Sequence, residues 1–270
     1  MKPLIALLTD FGTRDHYVGA MRGVALGICP DATLADITHD IAPHDVLGGA
    51  LELAAAFRYF PQGTVFLCVV DPGVGSARRA IGADAGGRTF VAPDNGLLTL
   101  VFRECAPARV VELQERQYAR PAISRTFEGR DRFAPAAAWL AHGTDLGALG
   151  PAVTAWQLLD VPEPYAEEGQ VSGVVLRVDR FGNLVTNIDR RRFDQVAGGA
   201  PVLVDAAGRP VPDVVETYAD AQPGSICALF GSSDHLEIAI NGASAAERLG
   251  LTRGAPVIVR LKPSAFRRTC

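Results

Sequence analysis

The sequence predicts an α/β N-terminal domain around a largely parallel sheet, followed by a smaller all-β, barrel-like domain. Three observations predict it. Short apolar runs alternate with longer helical patterns over the first 160 residues, the arrangement that builds strand–helix–strand units. A proline- and glutamate-rich stretch without apolar period, DVPEPYAEEGQ, ends at residue 170. Beyond it lie several short strands punctuated by Gly, Asn and Pro, with a single helical segment, the pattern of a small barrel or sandwich. The expected domains are therefore residues 1–160, a linker at 161–170, and residues 171–270.

In chain order, LIALLTDF reads as a buried strand and YVGAMRGVALGI as a helix. TLADITHDI is a second strand, VLGGALELAAAFRYF a long helix and TVFLCVVD a fully buried strand. RTFVAPDNG and ARVVEL add strands, and RFAPAAAWLAHG a helix ending at glycine. In the C-terminal part VSGVVLRVD, PVLVDAAGRPV, SICALFG, HLEIAIN and PVIVRLK read as strands and SAAERLGL as a helix.

Composition excludes several classes. The 270 residues are 48% hydrophobic and carry a net charge of -4 with the signs mixed, so a phosphate-binding basic face for nucleic acid is not expected. The basic run Arg190 to Arg192 reads as the solvated start of a helix or turn. Five scattered cysteines (Cys29, Cys68, Cys105, Cys227, Cys270) show no CxxC spacing and suit a reducing cytoplasm without a thiolate metal site. The apolar start is too short for a secretion signal or a membrane span. No GxGxxG, GxxxxGK[ST] or GxSxG follows a strand, so dinucleotide, P-loop and serine-hydrolase chemistry lack support. His and Asp in THD (Thr38 to Asp40) and His44 lack paired metal-ligand spacing, and no metal is expected.

Acids recur where strands end: Asp10, Asp71, Asp94 and Asp179, with Gly12, Gly73, Gly75, Gly96 and Gly182 in the following turns. Ligands of open α/β sheets bind beyond the carboxyl ends of strands, so these ends are expected to converge on a small-molecule crevice.

Six stretches occur in order: LLTDFGTRDHYVGAMRGV, CPDATLADITHDIAPHDV, FLCVVDPGVGSARR, FVAPDNGLLTLV, VDRFGNLVTNI and SSDHLEIAINGASAAERLGL. Together, from about residue 4 to 260, they resemble the S-adenosyl-L-methionine (SAM) hydroxide adenosyltransferase family, relatives of the fluorinating and chlorinating SAM enzymes. The resemblance implies hydrolysis of SAM by attack of an activated water on the ribose C5′, giving adenosine and L-methionine. SAM is then the substrate and no cofactor is needed. It assigns the water to Asp71 and Arg78, and to a third position, usually His, that here is Glu128 in TFEGRD. Glu128 either replaces that His or pairs with Arg125 or Arg130 and loses the role. Asp71 argues against a halide nucleophile, which a carboxylate would repel. For binding, the resemblance implies Asp10 on the ribose hydroxyls, and Phe181, Asn183, Asn241 and Gly242 on the adenine side. It places Asp179 and Ser232 near the methionine ammonium and carboxylate. It further implies a homotrimer in which each site combines the first domain of one subunit with the second of its neighbour. A SAM- or adenosine-binding protein with little turnover, and a halide-using transferase, are the competing expectations.

Overall fold

The computed structural model describes residues 2–262; Cys270 lies outside them. Contacts divide the chain into two compact units, residues 1–160 and 161–270.

In chain order the first unit comprises β1 (Leu4–Thr9), α1 (Tyr17–Ile28), β2 (Thr33–Thr38), α2 (Val46–Ala56), β3 (Val65–Val69), β4 (Ala80–Ala85), β5 (Arg88–Pro93), α3 (Thr99–Glu104), β6 (Arg109–Glu112) and α4 (Ala134–Ala141). The strands form one sheet in the order β2-β1-β3-β5-β4-β6. The first four are mutually parallel, and β4 runs antiparallel to both its neighbours. The continuous apolar runs of β1 and β3 have a simple cause: the sheet is covered on both faces. Ile5, Leu7, Leu67 and Val69 pack with α1 and α4 residues, while Ala6, Leu8, Phe66 and Cys68 join Leu53 of α2 and Phe102 of α3 on the other side. Cys68 is a fully buried core residue whose thiol burial pushes up, so it carries no thiolate chemistry.

The chain leaves β1 to one side for β2 and returns to its other side for β3. That reversal is the topological switch point, where open sheets leave a crevice at the strand ends. The strand β4 is absent from the sequence-based expectation. Its AIGADA is short and rich in small residues, and it is recruited by pairing with β5 and β6 rather than by its own propensity.

The second unit contains β7 (Tyr165–Glu167), β8 (Gln170–Val178), β9 (Leu184–Asp189), α5 (Arg190–Ala197), β10 (Val202–Ala206), β11 (Arg209–Val211), β12 (Ile226–Phe230), β13 (His235–Ile240), α6 (Ala245–Leu249) and β14 (Pro256–Leu261). Its antiparallel sheet runs β11-β10-β14-β8-β9-β13-β12, with β7 beside β8. The long β8 pairs through residues 170–174 with β14 and through 175–178 with β9. That change of partner bends the sheet around its own core of Val175, Leu184, Ile238 and Val257 into a nearly closed, barrel-like form. Within the stretch expected as a linker, 161–170, Val161 is buried and Tyr165–Glu167 pair with β8, so strand pairing satisfies backbone groups that composition alone assigns to a loop. Arg190 to Arg192 open α5 behind the Asp189 cap. Among the described residues no helix is long and apolar enough to cross a membrane.

Candidate functional site

The register of β1 on β3 pairs Thr9 with Val69, so Asp10 and Asp71 leave the sheet on adjacent strands at the switch point. The turn after β1 is pinned to the end of β2. Gly12 N–H donates to His39 O at 2.7 Å, and the His39 ring bridges Thr9 Oγ1 at 2.8 Å and Asp36 at 3.1 Å. Asp10 itself accepts from His44 N–H through Oδ2 at 2.9 Å.

After β3, the DPGVG turn carries Asp71 against Arg78. The guanidinium Nε donates to Asp71 Oδ1 at 2.9 Å and Oδ2 at 3.0 Å, and Nη2 reaches Oδ2 as well. The same Nη2 donates to Glu128 Oε2 at 2.6 Å. Arg132 Nε lies 3.8 Å from that Oε2, so both arginine contacts of Glu128 run through one oxygen. The Phe133 ring sits 5.1 Å beneath the Arg78 guanidinium. The three side chains are nearly buried, at 5% (Asp71), 11% (Arg78) and 12% (Glu128) exposure, so their charges act with little screening. Burial works against the Arg78 charge, but hydrogen bonds and charge from Asp71, then Glu128, outweigh it and raise its pKa. The cluster therefore holds two carboxylates on one permanent cation.

Glycine makes this assembly possible. Gly75 has φ +76°, and a Cβ there would lie 2.3 Å from Arg125 O; the turn thus lies flat on the segment leading to Glu128. That segment ends in a π-helical turn, Gly129–Phe133, a device common at functional sites. Within it Asp131 is fully buried. It is held by Arg130 at 2.7 Å, Arg120 at 3.2 Å and the Ser124 N–H at 2.9 Å. The alternative partners considered for Glu128 are engaged elsewhere: Arg130 on Asp131, Arg125 on Gly75 O.

Two strand-end acids do different work. Asp94 accepts from Arg79 Nε at 2.9 Å and from Gln157 N–H at 2.8 Å, clamping a loop. This corrects the expectation that Asp94 joins the crevice, and it accounts for Arg79 turning away from Asp71. Asp179 belongs to the second unit, where it closes a turn. Oδ1 accepts from the N–H groups of Phe181 at 2.9 Å and Asn183 at 2.8 Å, and Oδ2 accepts from Asn183 Nδ2 at 2.9 Å.

That turn borders a cavity of about 870 Å³ lined by Asp179, Phe181, Asn183, Ser232, Asn241 and Gly242. All six second-unit residues expected from the sequence are therefore together. Phe181 is 78% exposed, so it is a free aromatic face rather than a core side chain. The Asn241 amide donates to Ala221 O at 2.7 Å, which fixes the neighbouring loop. Sequence reasoning missed Arg177, Tyr218 and Glu237 in the same wall. Tyr218 Oη donates to Glu237 Oε2 at 2.8 Å. Burial pushes the Glu237 carboxyl up; the Tyr218 bond opposes this and the Asp179 charge adds to it. Burial, then the Glu237 hydrogen bond, pushes the Tyr218 phenol well up. Among the described residues no group of three or more His, Cys, Asp or Glu side chains is arranged to hold a metal ion.

Comparison with known proteins places the chain in a family. The chain matches the SAM hydroxide adenosyltransferase N-terminal domain over residues 5–150 and the C-terminal domain of the same family over residues 173–258. It is 41% identical over 267 residues to the (R)-S-adenosyl-L-methionine hydrolase of Thermus thermophilus, covering 95% of this chain and 99% of the relative. A fluorinase of Actinoplanes sp. is 32% identical, covering 95% and 97%. A crystal structure of a conserved protein from Thermotoga maritima superposes with a TM-score of 0.90 at 36% identity, covering 95% of this chain and 99% of that one. The chain belongs to the SAM hydroxide adenosyltransferase family.

Proposed function

We propose that this member of the SAM hydroxide adenosyltransferase family hydrolyses SAM to adenosine and L-methionine. The observation that carries the reading is the buried Asp71–Arg78–Glu128 cluster at the switch point of the first unit. The relatives named (R)-S-adenosyl-L-methionine hydrolase support it.

The leaving group needs no acid, because the sulfonium departs as a neutral thioether. The nucleophile is the difficulty, since bulk water has a pKa of about 15.7. In the proposed step a water oxygen forms the bond to C5′ and the C5′–S bond breaks, its electron pair going to sulfur. The water proton passes to a carboxylate. Asp71 has both oxygens on Arg78, whereas Glu128 meets Arg78 and Arg132 through Oε2. Glu128 Oε1 is thus the acceptor we assign to the water, in the place the family usually gives to His. Arg78 fixes the two carboxylates and holds the developing hydroxide electrostatically. Two buried acids repel a halide ion, which favours water over chloride or fluoride.

Asp10 grips the ribose hydroxyls, Phe181 stacks on adenine and Asn183 pairs with its edge, with Asn241 and Gly242 beside it. Asp179 and Ser232 take the ammonium and carboxylate of the methionine moiety. The two sets of residues meet on one substrate in a homotrimer, each site completed by a neighbouring copy, and the scattered thiols suit the cytoplasm. Light scattering reads the mass. Mixing inactive Asp71→Asn with inactive Asn183→Ala chains restores activity only if sites are shared between copies.

The deciding experiment incubates the purified protein with SAM and chloride in ¹⁸O-water and separates the products. Adenosine labelled at the 5′-oxygen, with methionine, supports the reading. A 5′-chloro nucleoside indicates a halide transferase. Tight binding without product indicates a binding protein.

A further inference from the structure

The second-unit cavity contains a hydrogen-bonded chain whose two ends accept hydrogen bonds. At one end is the Asp179 carboxylate and at the other Glu237, whose residue is 6% exposed. Between them, Asn183 Nδ2 donates to Asp179 Oδ2 at 2.9 Å and to Tyr218 Oη at 3.5 Å, and Tyr218 Oη donates to Glu237 Oε2 at 2.8 Å. The direction of every proton follows from the two ends. The phenol donates to Glu237 Oε2, and a hydroxyl has a single proton to give. The phenol oxygen can then only accept, so the adjoining amide must present N–H to it, as it does to Asp179. Both Nδ2 hydrogens are committed, and Oδ1 is the polar atom Asn183 has left to offer a ligand.

Glu237 is built into this position. It stands on β13, a strand flanked by β9 and β12. A Cβ on Gly231 would lie 1.8 Å from Glu237 Oε1, and Gly231 carries no positive φ. The glycine is therefore required by the space the carboxylate occupies rather than by backbone conformation. The raised Tyr218 pKa keeps the phenol protonated and donating.

We propose that Glu237, acting through Tyr218, is a positioning residue that orients the Asn183 amide as an acceptor and so selects a purine with an amino rather than an oxo group at C6. The proposal rests on the reading of this cavity as the purine subsite. An exocyclic amino group donates to Oδ1, while a 6-oxo group sets two acceptors face to face, and an unpaired buried polar group is strongly disfavoured.

The test measures binding of adenosine and inosine to the full-length protein by calorimetry, independent of turnover. The wild type is expected to prefer adenosine by about 10- to 100-fold. Glu237→Gln, Tyr218→Phe and Gly231→Ala each release the phenol or the amide. Each is expected to lower the adenosine-to-inosine ratio at least about fivefold, with inosine binding unchanged or tighter. Gly231→Ala displaces Glu237 without altering its chemistry, and thermal melts establish that each variant is folded. Any one folded variant that lowers the ratio supports the proposal. Folded variants that keep the wild-type ratio, or that weaken both nucleosides equally, overturn it, since that is the signature of a merely structural role. A wild type that binds both equally overturns it alone, whereas one that binds neither overturns the purine subsite itself.

Discussion

Glu128→Gln separates the two roles the cluster allows this residue. In the first, Glu128 takes the proton of the attacking water. In the second, it only holds Arg78 in place across the 2.6 Å contact to Nη2. Glutamine keeps the shape and can accept the same N–H. If holding is the whole role, the change replaces a charge-assisted hydrogen bond by a neutral one, a loss of about 1 kcal/mol and hence about fivefold in turnover. If Glu128 is the base, removing it costs a general-base contribution of about 10²- to 10⁴-fold in kcat. The two ranges do not overlap. Asp71 keeps its bidentate grip on Arg78 in either case, so the guanidinium stays anchored. The assay is kcat for adenosine release at saturating SAM, with melting temperature as the control for folding. We expect kcat to fall at least about 100-fold with KM little changed, and Glu128→His, which restores a base, to recover much of the loss. Turnover of Glu128→Gln or Glu128→Ala within about fivefold of wild type would refute the assignment.

Three further outcomes follow from the geometry. Asp131→Asn removes a fully buried carboxylate that accepts from two arginines reaching solvent and is expected to cost about 2 kcal/mol, the scale of a charge-assisted hydrogen bond, since no uncompensated charge is left buried; chemical denaturation measures it. Burial alone would raise the Asp131 pKa, but Arg130 and the Ser124 N–H reverse this and lower it, so its stabilisation is present above the unfolded value of about 3.9 and disappears as pH falls below it; the variant's melting temperature should fall less than the wild type's on acidification. Glu237 has the opposite sign: burial raises its pKa, so its contribution is greatest below the unfolded value of about 4.3 and is lost as pH rises through the folded value, and Glu237→Gln should gain stability relative to wild type over that rise in melts at stepped pH. Phe181→Ala should leave the melting temperature nearly unchanged because the ring is 78% exposed, yet raise the KM for SAM about 5- to 100-fold through the lost stacking face; an unchanged KM would remove Phe181 from the base subsite.

What the sequence made legible, and what it hid, divides along physical lines. Buried strands of a parallel sheet advertise themselves, and VFLCV and LIALLT needed no tertiary information to be read. The acids at their ends were equally visible, because a carboxylate emerging from an apolar run into glycines has few structural uses. What an acid does there depends on which cation the fold supplies. Asp71 and Asp94 look alike in the chain, each followed by a glycine turn, and the adjacent Arg78 and Arg79 divide between them. Only the pairing of β4 with β5 sends the second arginine to Asp94, and β4, like β7 and β9, is a strand the sequence concealed. Glu237 was hidden for a related reason. In HLEIAIN it alternates with Leu236 and Ile238, so period-2 reasoning assigns it to a solvent face. In the folded sheet that face is a cavity wall, and its burial follows from the neighbouring strands β9 and β12 and from the missing side chain of Gly231. A charged residue on the polar face of a strand is therefore ambiguous between solvent and site until the opposing wall is known. Here that wall carries Tyr218 from a loop with no periodicity to read.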